Sequence, residues 1–202
     1  LPETLSREGF QTGGFSAMGN VSSSIGYGRG FDSYVDLYKE QEVVERRSTT
    51  TADREQLVHE SADKIALPRA EDVVSSFREW LPTESNWFGF CWTIDTHMPY
   101  DPPSDADRFF DGRYTGPVDG SYESIPRFLT DTDLRRLESL YDAELHAADA
   151  QLGRLVDQLK EVGEYESTTI IVAGDHGEGF NDHEHLLHSY YPFEELLRVP
   201  LI

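Results

Sequence analysis

The sequence is poor in cysteine and has no long hydrophobic run. Its one cysteine, Cys91, has no second cysteine to pair with, which excludes a disulfide within the chain. The apolar run FGFCWTI around it predicts a small buried residue in a strand. No stretch reaches the roughly 18 apolar residues that a membrane span needs, so we expect no membrane-spanning segment.

Lysine is scarce as well, and acidic residues are in large excess. Asp and Glu number 38 against 17 Lys and Arg, the formal net charge is −21, and the lysines are Lys39, Lys64 and Lys160. A surface this acidic repels phosphate groups, so we expect no nucleic-acid partner and no binding to anionic lipid. The composition is typical of proteins from salt-loving microbes, and an acidic surface for a basic partner is the alternative interpretation.

Hydrophobic periodicity predicts alternating helices and strands. The predicted elements are a helix at 2–9, a strand at 10–18, a helix at 70–81, a strand at 86–94, a helix at 131–162 and a strand at 168–173. Strands separated by helices favour an α/β fold with a mostly parallel sheet and helices on both faces. We expect one domain over residues 1–202, with a polar insertion at 39–66 and a long loop at 95–130.

Two loops that follow predicted strands carry most of the reactive side chains. The first is IDTHMPYDPP, and the second is GDHGEGFNDHEHLLHS, which holds four of the seven histidines. Ligands of parallel sheets bind at the carboxyl ends of the strands, and carboxylates mixed with imidazoles suit a divalent cation. The alternative is a polar surface loop in an acid-rich protein.

These motifs resemble the sulfatase family of the alkaline-phosphatase superfamily. The segments that carry the resemblance are ETLSREGFQTGGFSA, RGFDSY, TIDTHMPYDPP, YDAELHAADAQLGRLVDQLKEVG, GDHGEGFNDH and YPFEELLRVPLI. They follow one another in the family's order, and the resemblance is weakest at 39–70 and 104–130. The chain has no initiator methionine and ends on RVPLI. We therefore expect an internal or C-terminal part of the catalytic domain, incomplete in its fold.

The resemblance implies roles for four residues. Asp175 and His176 match paired metal ligands, and Asp175 would also lie close to the nucleophile. His97 matches a histidine that contacts the sulfate and protonates the leaving group, and His188 matches a position that contacts the sulfate and the leaving oxygen. His183 matches a frequent family position without a firm role. A histidine capped by a neighbouring aspartate is the alternative for His97, and one packed on Tyr190 or Tyr191 is the alternative for His188.

The function implied is hydrolysis of a small-molecule or carbohydrate sulfate ester with a divalent metal ion. Calcium is favoured on family grounds, and manganese or zinc stays open because an imidazole suits them better. The family makes its nucleophile from a Cys/Ser-x-Pro-x-Arg motif, which does not occur in this sequence. We therefore expect this chain to be inactive by itself.

One departure from the family leaves the ester class open. Many sulfatases carry a Lys-x-His pair where this chain reads FSAMGNVSS, in which Asn20 is the only residue that substitutes even in part. The alternatives are a phosphate or phosphonate ester hydrolase, a phosphoglycerol-type transferase, or a sulfatase-like protein that binds without turnover.

Overall fold

The computed structural model describes residues 1–38, 67–83, 85–103, 106–188 and 191–202. The polar insertion predicted at 39–66 lies outside these ranges. The described residues form two compact units, Leu1–Asp95 with Ala150–Gln158 and Thr96–Asp149 with Leu159–Ile202, called here the first and second units. The single domain expected for residues 1–202 stays a prediction. None of the helices in the described ranges is both long and apolar enough to cross a membrane.

The first unit is built on a three-stranded parallel sheet. Its strands are β1 (Gln11–Ser16), β2 (Ser33–Asp36) and β3 (Trp87–Trp92), in the order β2-β1-β3. Both neighbouring pairs are parallel, and the central strand β1 is buried from Thr12 onwards. Together with the helices, this parallel sheet confirms the α/β fold class.

Aromatic side chains pack both faces of this sheet. Helix α1 (Pro2–Arg7) precedes β1, and α2 (Ala70–Trp80) packs on one face, where the ring of Phe15 lies 5.7 Å from Phe77 and 5.6 Å from Trp80. Successive residues of a strand point to opposite faces. Phe15 is paired with Cys91 on β3, so the preceding residue Phe90 points to the other face, where it lies 6.2 Å from Phe31.

The helices expected at 2–9, 70–81 and 131–162 and the strands expected at 10–18 and 86–94 are confirmed. Strand β2 was not expected, because four residues with polar neighbours give too short a pattern. The burial expected for Cys91 is wrong, since this side chain is exposed. Among the described residues β3 lies at the edge of the sheet, so it has a neighbouring strand on one side only.

The strand expected at 168–173 is also wrong for the described residues. Its pairing is limited to one antiparallel bridge between Ala173 and Leu201, with two hydrogen bonds of 2.9 Å between Val172 and Ile202. Ile171 beside this bridge is 73% exposed. A β-branched sequence forms a strand only where neighbouring strands and a packed face support it. A single bridge to Leu201 does not supply that support.

Helix α3 (Asp131–Glu161) contributes to both units, and the second unit packs around its part before Ala150. Its core consists of five buried residues, Met98, Tyr100, Val118, Leu137 and Leu140. Met98 and Tyr100 come from the loop expected at 95–130, which contains two 3-10 helices at Ala106–Phe109 and Tyr122–Ser124. A short helix, α4 (Glu194–Leu197), lies near the end of the chain.

A reciprocal cap closes the start of α3. The Asp133 amide donates to Thr130 Oγ1 at 3.2 Å, and the Thr130 amide donates to Asp133 Oδ2 at 2.9 Å. This arrangement is a capping box, which satisfies N–H groups that a helix start leaves without partners. The Tyr114 hydroxyl donates to Asp133 Oδ1 at 2.6 Å and ties the preceding loop to the same carboxylate.

Replacing Thr130 with alanine should lower the free energy of unfolding by about 0.5–2 kcal/mol, because the helix start loses its hydroxyl acceptor. Urea unfolding followed by circular dichroism measures the change. Thr132→Ala is the matched control, since Thr132 lies exposed in the same first turn. An equal loss in both variants would contradict the capping role.

The cost of this substitution should also depend on pH. Hydrogen bonds from Tyr114 and Thr130 hold the pKa of Asp133 below its ordinary value. Because the pKa is lower in the folded state, the cap stabilises fully above the unfolded pKa and loses its effect as pH falls through the folded pKa. The difference between wild type and Thr130→Ala should therefore shrink below about pH 4.

Candidate functional site

The second unit brings three histidines together from two distant parts of the chain. The ring of His188 lies 4.8 Å from that of His97 and 4.3 Å from that of His176, measured between centroids. His97 follows β3 in sequence, whereas the other two belong to the histidine-rich loop at 174–189. This group of His97, His176 and His188 is called here the histidine triad.

The residues on either side anchor His97. Met98 and Tyr100 are buried in the core of the second unit, and the Tyr122 hydroxyl donates to the Met98 carbonyl at 2.8 Å. The Nδ1 atom of His97 lies 2.5 Å from the same carbonyl. The structure therefore places Nδ1 on a backbone oxygen rather than on a neighbouring aspartate, which was the alternative interpretation from sequence.

Asp175 and His176 lie at a tight turn that only glycine permits. A Cβ atom at Gly177 would lie 1.9 Å from the Glu195 carbonyl oxygen, and the Gly177 amide donates to Leu196 at 2.9 Å. His176 donates its amide to Asp175 Oδ1 at 2.9 Å, and its Nε2 lies 3.6 Å from Asp175 Oδ2. The second carboxylate oxygen and Nε2 therefore lie close together.

These two atoms fit a shared metal ion. At bonds of roughly 2.1 Å to nitrogen and 2.4 Å to oxygen, two ligands of one ion lie at most about 4.5 Å apart, a limit that the 3.6 Å separation meets. Both side chains are partly exposed, so an ion can reach them. Within the described ranges, no group of three or more His, Cys, Asp or Glu side chains is arranged to hold an ion. Asp175 and His176 thus form a pair of ligands, not a complete set.

Glu178 is a site residue to which the sequence analysis gave no role. Its side chain is 5% exposed, His188 Nδ1 lies 3.1 Å from Oε1, and the Tyr100 hydroxyl donates to Oε2 at 3.3 Å. Burial raises the pKa of Tyr100, which keeps its hydroxyl protonated as a donor. Two hydrogen bonds between Gly179 and Leu187, of 2.8 and 3.3 Å, hold the two arms of this loop together. A glutamate between two glycines gave no sign in the sequence that it would be buried.

All three imidazoles of the triad use Nδ1 to contact the protein. The partners of Nδ1 are the Met98 carbonyl for His97, the Gly177 carbonyl at 2.9 Å for His176, and the Glu178 carboxylate for His188. Carbonyl and ionised carboxylate oxygens only accept, so we assign the Nδ1 proton to each ring from its partner. This assignment leaves Nε2 of each ring for an external group, such as a metal ion or an ester oxygen.

The other three histidines in the described ranges have ring partners outside this triad. His183 stacks on Phe193, and its Nδ1 lies 2.8 Å from Glu195. The hydrogen bond from His183 lowers the pKa of Glu195. His185 stacks on Tyr191, and His146 lies 5.7 Å from the ring of Phe109. Packing on Tyr191, the alternative for His188, is thus seen for His185. Tyr190 and His59 lie outside the described residues.

Three comparisons place the chain among known proteins. The family model described as Sulfatase matches residues 1–202. The multifunctional alkaline phosphatase superfamily protein PehA from Trinickia caryophylli is 35% identical over 74 residues, which are 37% of this chain and 14% of that protein. The matched part therefore spans well under two thirds of that relative's length.

Two solved structures are similar in fold. The phosphonate monoester hydrolase SpPMH from Silicibacter pomeroyi has a TM-score of 0.65 at 21% identity, over 99% of this chain and 51% of that chain. The phosphonate monoester hydrolase of Agrobacterium radiobacter has a TM-score of 0.66 at 19% identity, over 100% of this chain and 51% of that chain. The chain spans about half the length of each. The family match extends over the full sequence, and the chain belongs to the sulfatase family of alkaline phosphatase-like hydrolases.

Proposed function

We propose that this chain supplies part of the active site of a metal-dependent hydrolase that cleaves sulfate monoesters. The observation that carries the proposal is the convergence of His97 and His176 on His188, with ring centroids 4.8 and 4.3 Å away. Nothing in local sequence requires the loop after β3 to meet the histidine-rich loop. A shared anionic ester and its metal ion would explain why three imidazoles gather here, each with Nε2 left for an external group.

His97 has the role of general acid in this proposal. The oxygen of the leaving group gains negative charge as its bond to sulfur breaks, and a protonated imidazole that donates to it lowers the barrier. His188 contacts the non-bridging oxygens and the leaving oxygen from the other side. Glu178 accepts a hydrogen bond from Nδ1–H of His188 and thereby holds Nε2 of that ring toward the substrate.

Asp175 and His176 would hold the divalent ion through one carboxylate oxygen and Nε2. When bound, such an ion draws charge from the oxygens of the ester and activates the nucleophile. The family resemblance favours calcium as this ion, whereas the imidazole ligand favours manganese or zinc. The substrate of this proposal is a small-molecule or carbohydrate sulfate ester.

A phosphonate or phosphate monoester is the second candidate substrate. The observation that favours it is the segment after β1, where FSAMGNVSS lacks the lysine by which many sulfatases hold sulfate. The two solved structures similar in fold are described as phosphonate monoester hydrolases, which supports the same chemistry. Both candidates use the same triad and the same pair of metal ligands.

Parallel assays on the full-length enzyme test the proposal. We expect turnover of 4-nitrophenyl sulfate or of 4-nitrophenyl phenylphosphonate that is lost with EDTA and restored by Ca²⁺, Mn²⁺ or Zn²⁺. The ratio of kcat/KM for the two esters decides between the two substrate classes. Because Cys/Ser-x-Pro-x-Arg is absent, the 202-residue chain alone should stay at the buffer rate. Failure of the full-length enzyme to cleave either ester would refute the proposal.

A further inference from the structure

We propose that Glu144 is a positioning residue for His97, an inference that rests on the proposed function. Glu144 belongs to α3 and is 6% exposed. The Thr96 amide donates a hydrogen bond to its Oε2 at 3.0 Å, and the Asp101 amide donates one to its Oε1 at 2.7 Å. One carboxylate therefore joins the two ends of the segment 96–101, which carries His97.

This segment needs an external clamp because its backbone is unfavourable. Thr96 has φ of +75°, a left-handed conformation that is unfavourable for a residue with a Cβ atom. The Tyr100 amide donates to the Gly120 carbonyl at 2.9 Å, and a Cβ atom at Gly120 would lie 2.0 Å from the Tyr100 carbonyl oxygen. The hydrogen bond from Thr96 to Glu144 offsets the strain at the start of the segment. The close backbone contact between Tyr100 and Gly120 fixes its end.

A carboxylate suits this place better than any other side chain. Both contacts come from N–H donors, so the partner must offer two acceptor oxygens. Glutamine has one acceptor oxygen and would turn its NH₂ group toward the second N–H. A buried charge is costly, and its retention here follows from the need to satisfy two donors at once.

The clamp acts on catalysis through the placement of His97. Proton transfer in the transition state requires the acid within hydrogen-bond reach of the leaving oxygen. A misplacement by about 1 Å can lower a rate by about 10²-fold. If Glu144 acts only through His97, its removal should lower the turnover of esters whose leaving group needs a proton. The turnover of esters whose leaving group needs none should stay unchanged.

Glu144→Gln tests this inference with two independent readouts. Hydrogen exchange of the chain should show faster exchange of the Thr96 and Asp101 amides, by at least about 10-fold. In the full-length enzyme, kcat for an ester with a poor leaving group should fall by about 10²-fold. The effect should vanish in the His97→Ala background, as expected for residues that act as a unit. Glu138→Gln, on the exposed side of the same helix, is the matched control and should change neither readout.

The outcomes separate this inference from the proposed function. Unchanged exchange at Thr96 and Asp101, or an equal loss of kcat with and without His97, would overturn the positioning role. Absence of any ester turnover in the wild-type enzyme would instead overturn the proposed function, with the positioning role that depends on it. If Glu144→Gln fails to fold by circular dichroism, Glu144→Asp replaces it, since the shorter side chain keeps both oxygens but withdraws them from the two amides.

Discussion

In the full-length enzyme, His97→Ala should lower kcat by about 10²–10⁴-fold for esters with poor leaving groups, such as alkyl esters. An alkoxide leaving group must be protonated as it departs. Because Nδ1 of His97 lies on the Met98 carbonyl, Nε2 is the ring nitrogen left to donate that proton. A 4-nitrophenolate leaving group is stable without that proton, so its ester should lose far less. The measurement is kcat for a series of esters that differ in leaving-group pKa.

His146→Ala is the matched control for this experiment. His146 belongs to the same unit, but its ring contacts Phe109 and lies outside the triad, so the variant should keep wild-type rates. An equal loss of kcat for esters with good and poor leaving groups would show that His97 is not the general acid. It would leave His97 as a contact to the anion, because such a contact acts on every ester alike.

Periodicity alone predicts much of the fold around this site. The amphipathic pattern at 131–162 and the apolar run at 86–94 gave α3 and β3, because each pattern lies within one continuous stretch of sequence. The β-branched run at 168–173 gave only a bridge to Leu201, since strand formation depends on neighbours that local sequence does not specify. The sequence also could not show that Cys91 is exposed, for burial depends on which strands lie beside β3.

Part of the candidate site could also be predicted from local sequence. The reactive types His97, Asp175, His176 and His188 stand out in sequence because they follow apolar runs and match family motifs. Glu144 and Glu178 lie in two of the same motifs but were given no role, because a glutamate in an acid-rich chain resembles a solvated surface residue. Only the folded structure shows that both carboxylates are buried and hydrogen-bonded, Glu144 to two backbone amides and Glu178 to His188 and Tyr100. The sequence therefore identified the histidines but not the two glutamates that hold them in place.

Asp175→Asn should lower the affinity for the divalent ion by more than about 100-fold, beyond the effect typical of residues that only support a ligand. The asparagine keeps the shape of the side chain and an oxygen that can accept the His176 amide, so the turn should stay intact. It loses the negative charge that a hard cation requires. Isothermal titration of the full-length protein with Ca²⁺, Mn²⁺ and Zn²⁺ measures the affinity without reference to turnover.

The same variant should lose the stabilisation that metal binding gives to the folded state. An ion at about 100 times its Kd stabilises the wild type by about 2.7 kcal/mol, which raises Tm only where the site is intact. We expect Asp175→Asn to show no metal-dependent rise in Tm, whereas Asp182→Asn, an exposed aspartate of the same loop, should show the full rise. A rise in Asp175→Asn equal to that of the wild type would mean that the ion binds elsewhere. The 3.6 Å pair of Asp175 and His176 would then be an ordinary contact between two partly exposed side chains.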